Sequence, residues 1–346
     1  MKRRFPAEWE PHTAVWIAWP HEESDFPGKL PAVAWVYTEI VRLFSLGERV
    51  EILFHSEALL EEAKTLLEIS HIPLENVGFH LQANDRSWLR DSAPTAVYRE
   101  DGSLEWIQWR FNAWAKYDNF LSDQHIPSLI ASHTKIPCTQ AYLADGKTPM
   151  VLEGGAIDTD GEGTLLVTEE CLLSEVQQRN AGLSAADYEA LFLEYLGITK
   201  TIWLPGGCVG DDTHGHIDDI ARFAPNGKVL LAVEEDPSDE NYEVTQENRA
   251  ILSKETNASG KPLEVLSLPF PSARVYDDLR LPASYANFYI TNQQVIVPVF
   301  NDVNDSKAMN IIASAFPEHQ VLGLYAGDLV LGQGTLHCLS QQQPAQ

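Results

Sequence analysis

"PAVAWVYTEIVRLFSLGERVEILFHSEALLEEAKTLLE", Pro31 to Glu68, carries the pattern that decides the class of fold. Val33, Val36, Tyr37, Ile40, Val41 and Phe44 recur at offsets of 3, 4, 7, 8 and 11, the apolar stripe of an amphipathic helix. Pro31 stands near the start of that helix and Gly47 past its expected end, the usual punctuation. "VEILF" (Val50 to Phe54) then reads as a short buried strand. "SEALLEEAKTLLE" (Ser56 to Glu68) reads as a second helix with Ser56 as its N-cap. Helices alternating with short strands predict a mixed α/β fold.

The same grammar runs on in both directions. "VGFHL" (Val77 to Leu81), "KVLLAV" (Lys228 to Val233), "LEVLSL" (Leu263 to Leu268) and "QVIVPVF" (Gln294 to Phe300) predict strands. "SAADYEALFLEYLG" predicts a helix capped by Ser184 and stopped at Gly197. Tyr242 to Thr256 predicts another, entered from a solvated acidic loop, Val233 to Glu243. No Ser/Gly-rich linker or composition shift marks a domain boundary. A doubly wound nucleotide fold is the default for this pattern, but neither G-x-G-x-x-G after a strand nor a P-loop occurs. The alternative is a set of repeats of roughly 60–70 residues that share one core.

Of 346 residues, 44% are apolar, 10% aromatic and 21% charged, enough for a large core and far from disordered composition. No apolar run approaches the roughly 18–20 residues of a membrane span. Fifty acidic residues against 24 basic ones give a net charge of −26. That argues against nucleic acid, whose phosphates need a basic surface, and suits a cationic small molecule. The basic N-terminus is followed by no apolar stretch, so a secretory signal is not expected. Four cysteines (Cys138, Cys171, Cys208, Cys338) without a C-x-x-C pair fit reduced thiols in a cytoplasm.

Four segments could carry chemistry. Cys338 follows a glycine-rich turn in "GQGTLHCLSQQQP" (Gly332 to Pro344). A lone Cys is more often a small core residue, but Gly332, Gly334 and His337 beside it let a ligand approach. "DDTHGHIDD" (Asp211 to Asp219) is the densest ionisable cluster. On a strand, His214, His216 and Asp218 would share one face, an H-x-H-x-D that resembles the binuclear zinc motif of metallo-β-lactamase-type hydrolases; Asp219 stands where that motif has a His. Without metal, His216 and Asp218 could act as acid and base, and a plain polar loop fits the same residues. "NDRSWLRDSAP" (Asn84 to Pro94) reads as a loop in which Trp88 and Asp91 could hold a cation, or in which Arg and Asp simply pair. "LEGGAIDTDGEGTLL" (Leu152 to Leu166) places Glu153 before two glycines, then a turn between strands.

Taken together these segments resemble the agmatine deiminase family of guanidine-modifying enzymes, related to bacterial peptidylarginine deiminase. The resemblance runs from "PAEWEPHTAVWIAWPH" (Pro6 to His21) through "WLRDSAP" (Trp88 to Pro94), "FNAWAKY" (Phe111 to Tyr117), "LEGG" (Leu152 to Gly155) and "GHID" (Gly215 to Asp218). It ends with "NFYITNQQVIVP" (Asn287 to Pro298) and "HCLSQQQP" (His337 to Pro344). It implies a single α/β domain over residues 1–346, a five-bladed α/β propeller (pentein) of pseudo-fivefold ββαβ-type repeats. Two departures stand out. The family writes G-G-G-N before the H-C pair where this chain has Gly332-Gln333-Gly334-Thr335, and Asp212 stands where a Glu often faces the substrate amine.

The chemistry needs these residue types. A guanidinium has a pKa above about 12 and stays charged, and two carboxylates can hold its planar fork. Asp91 and Asp218 take that role by resemblance, with Glu153 supporting them. Cys338 then attacks the guanidinium carbon. A free thiol, with a pKa of about 8.5, is little ionised at neutral pH, so the bound cation would stabilise its thiolate. His216 would protonate the departing nitrogen and then serve as base for the water that hydrolyses the covalent thiouronium. Trp88 would line the pocket, Asp212 would neutralise a distal ammonium, and Asn287 matches a family position of undefined role. The expected reaction is agmatine to N-carbamoylputrescine and ammonia, with no metal or organic cofactor. The alternatives are deimination of a peptide's terminal arginine, with Arg110 and Lys116 near the entrance, a zinc hydrolase on His214, His216 and Asp218, or a catalytically silent guanidine binder. A homo-oligomer is expected only from general frequency.

Overall fold

A computed structural model describes residues 2–346 of the chain. Its helix Leu30–Gly47 turns Val33, Tyr37, Ile40, Val41 and Phe44 inward, as their spacing predicts. The strand Arg49–Phe54 that follows is buried at every position but the first. It pairs in parallel with His12–Ala18 on one side and Val77–Leu81 on the other. A strand covered on both faces reads as a continuous apolar run, not as an alternation. Gly47 is the last helical residue and not a stop beyond it. A Cβ there would lie 2.6 Å from Thr291 Oγ1, so close approach requires the glycine.

One unit recurs along the chain: two antiparallel strands, a helix, and a strand parallel to the second. It is formed by Thr95–Arg99, Leu104–Gln108, Ile126–Thr134 and Cys138–Gln140. Asp158–Thr159, Thr164–Thr168, Ala185–Leu196 and Lys200–Leu204 repeat it. So do Ala221–Ala224, Lys228–Ala232, Tyr242–Leu252 and Glu264–Leu268. Tyr289–Ile290, Gln294–Val299, Asp305–Ala315 and Gln320–Tyr325 repeat it again. The remaining copy joins the two ends of the chain: Ser340–Pro344 pairs antiparallel with His12–Ala18, which leads through Leu30–Gly47 into Arg49–Phe54. The strands thus form separate small sheets, with a hairpin Arg274–Tyr276 and Leu279–Leu281 apart from them, and no single doubly wound sheet is present among the described residues.

Local signals behave as chemistry dictates. Ser184 and Asp187 form a reciprocal capping box, and Gly197 closes that helix in the left-handed region. The helix expected over Tyr242 to Thr256 ends at Leu252. The Asn257 side chain captures the N–H groups of Ser259 and Lys261 into a turn, which competes with further helix. The segment read as a loop before Pro94 contains one buried helical turn, Leu89–Ser92, stopped ahead of the proline. No described helix is long and apolar enough to cross a membrane.

Candidate active site

The pairing of Ser340–Pro344 with the N-terminal strand anchors Cys338 just ahead of it. The Leu89–Ser92 turn docks on the same segment, its Arg90 N–H donating to the Cys338 carbonyl at 3.1 Å. Asn287 organises the loop between Gly332 and Cys338. Its Oδ1 accepts from Thr335 Oγ1 at 2.8 Å, His337 N at 3.1 Å, Thr335 N at 3.2 Å and Cys338 N at 3.3 Å. Its Nδ2 donates to Asp219 Oδ1 and to Cys338 Sγ, each at 3.0 Å. Asn287 therefore aims an N–H at the sulfur, a geometry that would stabilise a thiolate. Thr335, one of the two residues by which this loop departs from the family pattern, is accommodated by its hydroxyl bond to this amide. Gln333, the other, takes a left-handed φ of 70° and lies on the cavity wall.

Gly155 is the point on which the ionisable groups converge. A Cβ there would lie 2.5 Å from His216 Nδ1, 2.9 Å from Asp91 Oδ1 and 3.1 Å from Asp218 Oδ2. Asp91 Oδ1 accepts from Gly155 N, and its Oδ2 from Trp114 Nε1, both at 2.9 Å. Asp218 Oδ2 accepts from His337 Nδ1 at 2.7 Å and lies 3.5 Å from Cys338 Sγ. The fully buried His216 lies 3.9 Å from Asp91 on one side and 3.9 Å from Glu153 on the other. Glu153 is itself clamped by Arg179 at 2.9 Å. Both ring nitrogens of His216, one oxygen of Glu153 and one of Asp218 are buried without a hydrogen-bond partner. Buried polar atoms are seldom left so, and each needs a physical account.

The charges set one another. Burial pushes the Cys338 thiol well up, and the carboxylates of Asp218, Asp219 and Asp91 push it further. Burial lifts Asp91 to about 6, with His216 opposing and Asp218 and Glu153 reinforcing the rise. Burial works against the His216 imidazolium, but Asp91, Cys171 and Glu153 outweigh it and hold that group well above its ordinary range. Glu153 falls to about 2 because Arg179 and His216 outweigh its burial. Burial likewise opposes the Asp218 carboxylate, but the His337 hydrogen bond and charge keep it below the usual range. Burial and the neighbouring charges thus favour the protonated forms of both the Cys338 thiol and the His216 imidazole.

A cavity of about 300 Å³ opens onto Cys338 and Asp91, walled by Trp88, Trp114, Tyr117 and Asp212. Asp212 Oδ2 accepts from Tyr117 Oη at 2.6 Å and from Lys116 Nζ at 3.4 Å. Trp88 Nε1 donates to Asp25 Oδ2 at 3.1 Å. Arg86 on the wall is paired with Asp25 and lies 4.1 Å from the Tyr117 ring centre, whereas Arg110 does not line the cavity. His216, Asp218, Glu153 and Asn287 stand behind the wall instead of on it. Sequence reasoning singled out those residues but missed Asp25, Trp114, Tyr117, Gly155 and Arg179 as parts of the site. Trp114, Tyr117 and Gly155 sit inside motifs quoted above, whereas Asp25 and Arg179 carry no local signal.

The strand that would align His214, His216 and Asp218 on one face is not formed. His214 is left-handed at φ 66°, and His216 leads into a short 3-10 turn, Ile217–Asp219. The His214 ring turns to Ser174 Oγ at 3.1 Å. These three residues bring no common set of ligand atoms together among the described residues, which corrects the zinc-hydrolase alternative.

Residues 4–344 match the family described as Porphyromonas-type peptidyl-arginine deiminase. The chain belongs to this family. It is 36% identical to an agmatine deiminase of Pseudomonas savastanoi pv. phaseolicola over 99% of this chain and 95% of the relative. Among solved structures, the agmatine deiminase of Enterococcus faecalis superposes with a TM-score of 0.89 at 30% identity, covering 99% of this chain and 96% of that one. A variant of C. jejuni agmatine deiminase with substrate bound superposes with a TM-score of 0.87 at 29% identity, over 99% and 96% of the two chains. The α/β class read from the sequence is the class of fold observed.

Proposed function

We propose that this family member hydrolyses agmatine to N-carbamoylputrescine and ammonia through a covalent intermediate on Cys338. The observation that carries the reading is the cavity floor, which the Cys338 thiol and Asp91 line together, with Asp218 Oδ2 3.5 Å from the sulfur behind them. The names of the relatives supply the substrate, and Asp212 supplies a partner for its second charge. Asp91 and Asp218 hold the guanidinium. Its positive charge offsets the carboxylates that keep Cys338 protonated, so binding favours the thiolate, and the thiol proton passes out to water in the cavity. Asn287 Nδ2 stabilises that thiolate as it forms. The sulfur adds to the guanidinium carbon, His216 gives its proton to the departing nitrogen, and ammonia leaves. Water then adds to the thiouronium carbon and neutral His216 takes one of its protons; the C–S bond breaks as the remaining hydroxyl proton passes to the departing sulfur, which releases the ureido product and restores the thiol. Glu153 and Arg179 hold His216 in place, and Trp88 packs on the aliphatic chain. The scheme calls for no metal or organic cofactor.

We also propose that the five repeated units close as a five-bladed α/β propeller in one domain over residues 1–346. The pairing of the C-terminal strand Ser340–Pro344 with His12–Ala18 supports this closure.

The family description favours a second reading, a peptide ending in arginine. Its carboxylate would need a free base at the cavity. Arg86 is engaged by Asp25, and Lys116 does not line the cavity. The test is ureido-product formation by the wild-type and Cys338→Ser proteins on agmatine, free arginine and a peptide ending in arginine. Turnover of agmatine, lost in the variant, is the expected result. Preference for the peptide would overturn the substrate, turnover by Cys338→Ser would overturn the nucleophile, and binding of agmatine without turnover by the wild type would mark a silent binder.

A further inference from the structure

Away from the cavity, Glu51, His80 and His133 meet from two different repeat units. Glu51 lies on strand Arg49–Phe54 and His80 on its parallel neighbour Val77–Leu81. His133 comes from the helix Ile126–Thr134 of another unit. Glu51 stands in register with Gly78, and Leu53 with His80. Glu51 and His80 therefore emerge on one face at diagonal positions. A Cβ on residue 78 would lie 1.6 Å from Glu51 Oε2, so the bare backbone there lets the carboxylate cross to His80.

His80 Nε2 is 2.7 Å from Glu51 Oε2, and His133 Nε2 is 3.9 Å from Glu51 Oε1. The two imidazole rings stand 4.4 Å apart, nearly perpendicular. Buried Trp16 packs against both, at 5.1 and 5.5 Å. One ligand atom from each of the three residues falls within a 4.8 Å cluster.

We propose that Glu51, His80 and His133 form a binding site for a divalent transition-metal cation, best matched by zinc, that ties the helix of one unit to the strands of another. Two imidazole nitrogens and a carboxylate oxygen are borderline donors suited to zinc, nickel or copper, not to magnesium or calcium. Zinc sits roughly 2.0–2.2 Å from such donors in a tetrahedron, which puts ligand atoms about 3.3 Å apart. The separations of His80 and His133 from the two Glu51 oxygens, 2.7 and 3.9 Å, lie on either side of that spacing. The Glu51 side chain is 5% exposed while that of His133 is 44% exposed, so the fourth position faces water. Arg49, whose Nε lies 2.5 Å from Glu51 Oε1, competes with the cation for this carboxylate. Its side chain is 44% exposed and has room to swing out.

The test uses the full-length Cys338→Ser protein, so that the thiol of the deiminase site does not capture metal. Calorimetric titration of the metal-free protein with zinc should show one ion per chain with micromolar or tighter affinity. His80→Ala and His133→Ala, each added to that background, should weaken it at least tenfold and abolish a zinc-induced rise in Tm. His133 is the safer substitution because its ring is half exposed, and His133→Asp, which restores a ligand oxygen, should recover part of the affinity. Absence of a saturable zinc site in the parent, or unchanged affinity in both alanine variants, would overturn the proposal.

Discussion

Replacing Gly155 by alanine tests the convergence of Asp91, His216 and Asp218 directly. The new methyl would lie 2.5 Å from His216 Nδ1, about 0.9 Å inside the 3.4 Å lower edge of ordinary contact. It would also press on Asp91 Oδ1 at 2.9 Å and Asp218 Oδ2 at 3.1 Å. Gly155 does not have a positive φ, so its backbone accepts alanine without strain. The cost is therefore steric and local, about 1–3 kcal/mol of stability for overpacking. The effect on catalysis is larger, because a displacement of about 1 Å in a catalytic group can lower the rate roughly 100-fold. The assay is steady-state agmatine deimination beside thermal unfolding and far-UV circular dichroism. A folded Gly155→Ala protein with kcat reduced about 100-fold is expected. A folded variant with kcat within twofold of wild type would refute the reasoning, since His216, Asp91 and Asp218 would then not need the positions described.

Three further outcomes follow from the same geometry. Asn287→Ala leaves the N–H groups of Thr335 and Cys338 without their acceptor, at about 1–3 kcal/mol each, and removes the donor to Sγ. Tm should fall, kcat should drop more than tenfold with little change in KM, and alkylation of Cys338 should need higher pH. With Asp91 raised to about 6 by burial, the free site loses its proposed guanidinium partner as pH falls through that value. The log of kcat/KM should decline by about one per pH unit below it, and a profile flat down to pH 5 would contradict this. Asp212→Asn removes the distal charge, and a charged hydrogen bond contributes about 1.5–3 kcal/mol. KM for agmatine should rise roughly 10- to 100-fold, while KM for butylguanidine, which lacks the ammonium, should stay unchanged.

Much of the site was legible because its residues stand in short runs with unusual chemistry. Asp91 beside Trp88, Glu153 before two glycines, His216 before Asp218 and Cys338 after a glycine-rich turn each mark their own segment. Asn287 was placed by motif but had no role until the structure set its amide against Sγ and three backbone N–H groups. The H-x-H-x-D spacing misled, because the strand that would align those side chains is replaced by a left-handed residue and a 3-10 turn. Arg179 and Asp25 left no trace in local pattern. Their partners, Glu153 and Arg86, lie 26 and 61 positions away.

By itself the sequence determined the units of structure. Periodicity chose helix or strand, and Ser184 and Gly197 chose where a helix starts and stops. These are properties of neighbours within a few residues, which backbone geometry couples directly. Tertiary structure alone decided that Asp91, Gly155, His216, Asp218, Asn287 and Cys338 meet, and which of them carry protons. Periodicity tells which face of an element is buried, not what covers it. A proton's affinity depends on burial and on charges across space, so the raised thiol and the raised imidazole exist only once distant segments have packed around them.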